Sequence, residues 1–346
     1  MLVRRSMMRQ WAKLAPNNFP CPSRTQPVAH CATGCVAYGA QLAIAQGLRT
    51  NSASKHTCER DGLLGNRTHA IIPAMSLHVR SLASGSSGNA FLVRTTEDTL
   101  LVDAGLSARQ LERQLREHDV EPHTLSGIVV SHEHHDHAQG VGALARRFAV
   151  PVICTAGTAR ALGSVLQGVD VRLCHVDGIT VGDAELWSFP IPHDAAEPVG
   201  VLLRHGMWTV GIALDCGHVQ AHMVPALQEA DLVVVEANHD RERLLATVYP
   251  WSTKHRILSD QGHLSNLQAA QLLEAIMQDG RPRDVWLAHL SEKANDHPRS
   301  VIQFVRNYLE MVALPPLSLS VAQRDRPSAS WHSDQALQQS DLFHIC

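Results

Sequence analysis

Residues 127–140 read GIVVSHEHHDHAQG, an apolar, strand-like run that ends directly in His132, Glu133, His134, His135, Asp136 and His137. The pattern H-x-H-x-D-H crowds imidazoles and a carboxylate onto one short loop, well beyond what turn chemistry requires. Such a loop, folded over a strand end, can aim His132 and His134 at one cation and Asp136 and His137 at a second. Nitrogen and oxygen donors suit Zn, and also Mn or Fe. A site for two cations needs more ligands, so the chain must fold with further strand ends opening on the same place.

Comparable positions occur. Asp103 follows TLLV, His193 follows SFPIP, Asp215 follows TVGIAL and His289 follows DVWLA. In open α/β architectures, sites gather at the carboxyl ends of strands, which lets these scattered residues converge. Taken singly, each has a plainer reading as a hydrogen-bonded strand-end histidine, a turn aspartate or a helix cap.

The rest of the sequence reads as an α/β layered domain. Strands are expected at 77–83, 90–95, 100–103, 128–131, 152–155, 171–176, 185–189, 199–204, 209–214, 232–236 and 285–288. A helix should start at the capping box Ser107-x-x-Gln110 and bury Leu111 and Leu115. A second carries Val141, Leu144, Ala145 and Phe148, a third starts at Ser265-x-x-Gln268, and a last one runs near Val301, Val305, Tyr308 and Val312. The order of elements implies sheets covered by helices on their outer faces.

Composition sets the outer bounds. With 346 residues and 45 % hydrophobic content, disorder throughout is excluded. A net charge of −3 gives no global polycationic footprint, so a grip on nucleic acid has to come from a local basic patch. Eight cysteines are too sparse for a disulfide scaffold. Cys154, Cys174 and Cys216 lie in apolar runs, which fits a reducing cytoplasm. The apolar stretch at 35–48 is interrupted and shorter than the ~20 residues of a membrane span.

Residues 1–74 lack sustained periodicity and are expected to be a poorly ordered extension, with Met75 as the natural start. Their arginines invite a targeting reading, but the apolar core and cleavage site are missing. Cys21, His30, Cys31, Cys35 and Cys58 lack the paired spacing of a zinc knuckle. From 321 to 346 the chain is rich in Ser, Gln, Arg and Asp and is expected to be a flexible tail. The working domain is then 75–320.

The run HEHHDH, with LLVDAG before it and HDAAEPVG, ALDCG and LAHLS after it, resembles the metallo-β-lactamase fold, a four-layer αβ/βα sandwich with a dinuclear metal site. More narrowly, ASGSSGNA, HDAAEPVG, VVVEANHD, YPW, RILSDQGHLSN and LAHLSEKAN are similar to the YycJ/WalJ branch. The resemblance spans about residues 75–312 and implies a role for each candidate. His132, His134 and His193 would hold one metal, Asp136, His137 and His289 the other, and Asp215 would bridge them. Asp103 would orient a ligand histidine. Leu214 departs from the threonine commoner before the bridging aspartate, which puts no ligand in doubt. His135 lies between ligand positions and has no assigned role.

GHLSN, 262–266, matches the place where phosphodiesterase members such as tRNase Z carry a catalytic histidine. His263, with Asp136 and Asp215, is therefore the expected catalytic set. It stands just ahead of the Ser265 helix cap, a favourable place for a phosphate. Ser265, Asn266, Lys254 and Arg256 are the expected substrate contacts, the two basic residues meeting a nucleic-acid backbone. The loop Ser84–Asn89 reads either as an anion nest or as a plain hairpin turn.

These readings imply a hydrolase using two divalent ions, Zn or Mn, on a phosphodiester. The expected activity is that of a 5′-to-3′ DNA exonuclease in the cytoplasm, with no membrane association. The alternatives are a cyclic sugar phosphate diesterase, a thioester or lactam hydrolase, and a metal-binding regulator without turnover. The aspartate at 215 and the GHLSN run disfavour the lactam and thioester chemistries respectively.

Overall fold

The computed structural model describes residues 75–335. The targeting, zinc-knuckle and extension readings of 1–74, and the tail reading of 336–346, lie outside the described residues.

Six strands build the first sheet: β1 (His78–Ala83), β2 (Ala90–Arg94), β3 (Thr99–Val102), β4 (Gly127–Val129), β5 (Val152–Cys154) and β6 (Val171–Leu173). Seven build the second: β7 (Ile179–Val181), β8 (Ala184–Pro190), β9 (Val199–His205), β10 (Trp208–Ala213), β11 (Leu232–Glu236), β12 (Asp284–Ala288) and β13 (Ser318–Val321). A final strand, β14 (Ser330–His332), returns to the edge of the first sheet, giving the orders β14-β1-β2-β3-β4-β5-β6 and β13-β12-β11-β10-β9-β8-β7. Each sheet begins with antiparallel hairpins and continues with parallel strands, β3 to β6 in one and β10 to β13 in the other.

Helices cover the outer faces. On the first sheet lie α1 (Ala108–Glu117), the short α2 (His135–Ala138), α3 (Val141–Phe148) and α4 (Ala156–Leu162). Following the strands of the second sheet come α5 (Met223–Gln228), α6 (Arg241–Ala246), α7 (Trp251–Leu258), α8 (Asn266–Met277) and α9 (Pro298–Met311). Both expected capping boxes form, Ser107 with Gln110 and Ser265 with Gln268.

The layering follows from the two-residue period of the strands. Leu232 and Val234 of β11 point into a core between the sheets, beside Phe91, Val93, Val210, Ile212 and Trp286. Their neighbours Val233 and Val235 point the other way, onto Leu227, Leu273, Ile276 and Val305 of the helices. The first sheet does the same with Leu92, Leu101 and Ile128 against Leu111, Leu115 and Leu144. Four layers and three cores result, as expected for the αβ/βα sandwich. Among the described residues, no helix is long and apolar enough to cross a membrane.

The tail expectation fails for 321–335. β14 pairs antiparallel with β1, Val79 opposite Trp331, and Leu77 N–H donates to Ser333 Oγ (3.0 Å). Trp331 is buried in the inter-sheet core and its indole N–H donates to Asp284 Oδ2 (2.8 Å) at the start of β12. One apolar side chain among polar neighbours is too short a pattern for alternation to register, yet that chain closes the sandwich. The folded domain therefore runs past 320.

Candidate metal centre

Every expected ligand leaves the carboxyl end of a strand. Asp103 follows β3, the loop from Ser131 to His137 follows β4, His193 follows β8, Asp215 follows β10 and His289 follows β12. Three of these turns are left-handed: φ is +59° at Asp103, +52° at Asp215 and +52° at His289. Aspartate and histidine tolerate that region better than most side chains, at a cost of about 1 kcal/mol or more each. The step lifts each side chain off its strand's alternation and over the sheet ends. Close packing completes the arrangement, since a Cβ on Gly105 would stand 1.7 Å from the Asp136 carbonyl oxygen.

The expected ligands meet in two groups that share Asp215, His132, His134 and His193 with Asp215, and Asp136, His137 and His289 with Asp215; a third group joins Asp215 and His289 to Glu236 and His263. Within each, one donor atom per residue lies within 4.8 Å of all the others. His134 Nδ1 is 3.1 Å from both His132 Nε2 and His193 Nε2. Ligands about 2.0–2.1 Å from a tetrahedral zinc would be about 3.3 Å apart. Asp215 Oδ2 lies 3.4, 3.2 and 3.5 Å from the Nε2 atoms of His132, His137 and His193.

The outward nitrogens are committed elsewhere. His137 Nδ1 donates to Asp103 Oδ2 (2.7 Å), His289 Nδ1 to Glu236 Oε1 (2.8 Å), and His193 Nδ1 to the Gly262 carbonyl (3.1 Å). His132 Nδ1 lies 3.1 Å from Ser131 Oγ, whose hydroxyl donates to Asp103 Oδ2 (3.0 Å). With Nδ1 occupied, the Nε2 lone pair of each ring is left facing the cluster. Asp215 Oδ1 is buried and accepts no hydrogen bond of good geometry. Converging lone pairs with carboxylates between them fit divalent cations, and the donor set is nitrogen and oxygen throughout.

Electrostatics agree with this. Burial alone would raise the Asp215 and Asp136 carboxyls, but the surrounding imidazoles outweigh it. Asp215 is held well below its ordinary value, and Asp136 goes down to about 2. Both therefore stay anionic.

His263 joins the cluster from the side. Its Nδ1 donates to Glu236 Oε1 (2.7 Å), and its ring centroid is 5.2 Å from those of both His193 and His289. Burial pushes this imidazole down; the Glu236 carboxylate beside it pushes harder and leaves its pKa raised. Glu236 is fully buried at the end of β11 and also accepts the backbone N–H groups of Cys216 (2.9 Å) and Leu264 (3.1 Å). Against burial, the two imidazoles bring it down to about 2.

Glu236 was not among the residues expected from sequence, although LVVVE shows the same apolar run ending in a carboxylate. Ser131 and Asn89 were not among the expected site residues, although Asn89 ends the loop singled out at 84–89. The loop Ser84–Asn89 is a hairpin turn between β1 and β2: Ser84 Oγ accepts the His289 N–H (2.9 Å), and Asn89 Nδ2 lies 3.0 Å from His137 Nε2. His135 is exposed on α2, outside all of these groups.

The expected substrate contacts are otherwise engaged. Ser265 caps α8, and buried Asn266 donates to Asn295 Oδ1 (2.7 Å). Lys254 is buried and donates to the Leu245 carbonyl (2.6 Å). Arg256 forks onto Asp194 (2.5 and 2.8 Å), whose Oδ1 is 3.3 Å from His193 Nε2. Polar type alone could not reveal these partners.

A family model described as a beta-lactamase superfamily domain matches residues 98–290. The chain is 38 % identical over 221 residues to Exodeoxyribonuclease YycJ of Bacillus anthracis, covering 63 % of this chain and 83 % of that protein. It is 37 % identical over 220 residues to Exodeoxyribonuclease WalJ of Streptococcus pneumoniae, covering 62 % and 81 %. Among solved structures, the metallo-beta-lactamase fold protein YhfI from Bacillus subtilis superposes with a TM-score of 0.58 at 16 % identity, over 75 % of this chain and all of that one. That last likeness concerns the fold alone.

Proposed function

Because the chain belongs to the beta-lactamase superfamily, and within it to the family of the YycJ and WalJ proteins, we propose that it is an exodeoxyribonuclease using two divalent ions, Zn or Mn, at the Asp215-centred cluster. The observation that carries the reading is the pair of donor groups sharing Asp215, with His263, hydrogen-bonded to Glu236, at their side. His132, His134 and His193 would hold one ion and Asp136, His137 and His289 the other. Such a pair supplies a nucleophile at neutral pH and neutralises charge on a phosphoryl group.

The protein's own residues do the remainder. Asp103 and Glu236 fix the rings of His137 and His289 by taking their Nδ1 protons. His263, whose pKa the Glu236 carboxylate raises, would present Nε2–H to a phosphoryl oxygen or to the leaving oxygen. The direction of cleavage we assign is 5′ to 3′, in the cytoplasm.

The test is hydrolysis of end-labelled single- and double-stranded DNA beside a cyclic phosphate and a thioester, with Mn or Zn added. Mononucleotides released from the 5′ end alone support the reading. Turnover of only the cyclic phosphate or the thioester overturns it.

A further inference from the structure

Between Glu236 and His263 the chain leaves the second sheet as a helical hairpin, α6 and α7, whose link 247–250 carries the most exposed large apolar side chain among the described residues. Val248 is 93 % exposed, Trp251 61 % and Leu245 39 %. An indole left so open has no role in any of the three cores.

The hairpin is anchored to the metal centre at both ends. Asp240, which caps α6, donates its N–H to the Ala294 carbonyl (2.8 Å), five residues beyond His289. The Ile257 carbonyl near the end of α7 accepts the His263 N–H (3.0 Å), and Arg256 is forked onto Asp194 beside His193. Trp251 stands about 7.5 Å along the helix axis from Arg256, at 1.5 Å per residue. Buried Lys254 fastens the two helices together through the Leu245 carbonyl.

Cations accompany the rings. Lys254 Nζ lies 5.9 Å from the Trp251 ring centroid, and Lys293 Nζ lies 5.3 Å from that of Tyr249. Lys293 is exposed and only four residues from His289. Trp251 is exposed and Tyr249 half-buried; aromatic faces open to solvent with adjacent positive charge are the elements by which proteins hold single-stranded nucleic acid, through base stacking and backbone attraction.

We propose that Trp251 and Tyr249 form a stacking platform for the bases of a single DNA strand whose phosphodiester lies at the metal cluster, with Lys293 meeting its backbone; this rests on the nuclease reading above. The platform selects an unpaired strand, because a paired base keeps its faces in the duplex stack.

The test uses the full chain and its variants Trp251→Ala, Tyr249→Ala and Trp251→Phe. Cleavage of a single-stranded oligonucleotide with Mn gives KM and kcat. A fluorescein-labelled oligonucleotide titrated against protein in EDTA gives binding without cleavage. Hydrolysis of bis(4-nitrophenyl) phosphate reports the centre without engaging the platform. Trp251→Ala should raise KM for the oligonucleotide and weaken binding about tenfold, with kcat unchanged and the small diester turned over normally. Trp251→Phe should retain most of the affinity. Unchanged KM and binding in both alanine variants would overturn the platform while leaving the nuclease reading standing. Binding that depends on Trp251 without any cleavage by the parent protein would support the platform and remove the nuclease reading. A sedimenting dimer that Trp251→Ala dissociates, with DNA affinity intact, would make this face a contact between copies and overturn the proposal.

Discussion

His263 Nδ1 lies 2.7 Å from Glu236 Oε1, the same oxygen that receives His289 Nδ1 at 2.8 Å. One buried carboxylate thus orients a metal-facing ring and the ring beside it. If His263 delivers a proton rather than binding metal, His263→Ala should lower kcat by about 10²–10⁴-fold while metal content stays that of the parent protein. Elemental analysis and a DNA hydrolysis assay on the same preparation check this. Loss of an ion would make His263 a ligand.

Glu236→Gln keeps the shape and removes the charge. Expected are a metal affinity weaker by about 10–100-fold and a fall in kcat that persists at saturating metal, because His263 loses the anion that raises its pKa. Metal titration followed by activity separates the two effects. Undiminished kcat at saturation would show that Glu236 only positions His289.

Asp103→Asn tests the opposite wall. Asparagine tolerates the left-handed backbone at this position, so the fold should hold. His137 loses its anionic acceptor and Ser131 loses the partner that steadies His132. Apparent metal affinity should drop about 10–100-fold, read by competition with a chromogenic chelator, with circular dichroism unchanged.

Trp331→Ala should cost about 3–5 kcal/mol in urea unfolding, since the indole fills the inter-sheet core and anchors Asp284. A chain ending at Ser320 lacks β14 altogether and should fail to give a cooperative transition. A normal transition in that shortened chain would contradict the role assigned to β14.

Asp98 links the two sheets at the far end, accepting Ser126 Oγ–H (2.5 Å) and the Asp183 N–H (2.7 Å). Burial raises its carboxyl, but these bonds outweigh it and its pKa falls below the ordinary 3.8. A depressed folded-state pKa gives stability that is present above 3.8 and lost as pH falls through the folded value. The Tm gap between the parent protein and Asp98→Asn should be open at pH 7 and close on acidification. A gap that widens in acid would reverse the sign.

Much of the candidate centre could be read from the chain because its residues end apolar runs. Asp103 and His289 stand one residue past their strands and Asp215 two, and HEHHDH is dense enough to identify itself. Glu236 ends its strand in the same way, within the VVVEANHD run, but that run alone assigns the glutamate no role in a site. Lys254 and Arg256 show what sequence does not carry: a basic residue does not say which way its side chain runs, and in the structure these two bond to the protein's own carbonyl and carboxylate. β14 escaped because a single inward tryptophan makes no period.

The three left-handed turns at Asp103, Asp215 and His289 also set the terms on which this enzyme could be improved. Glycine would relax all three positions, so a directed-evolution screen that rewards heat tolerance alone would be drawn to them and would dismantle the centre as it succeeded. Thermal robustness and turnover compete there for the same backbone positions, and a screen can escape that trade only by scoring catalysis at every round.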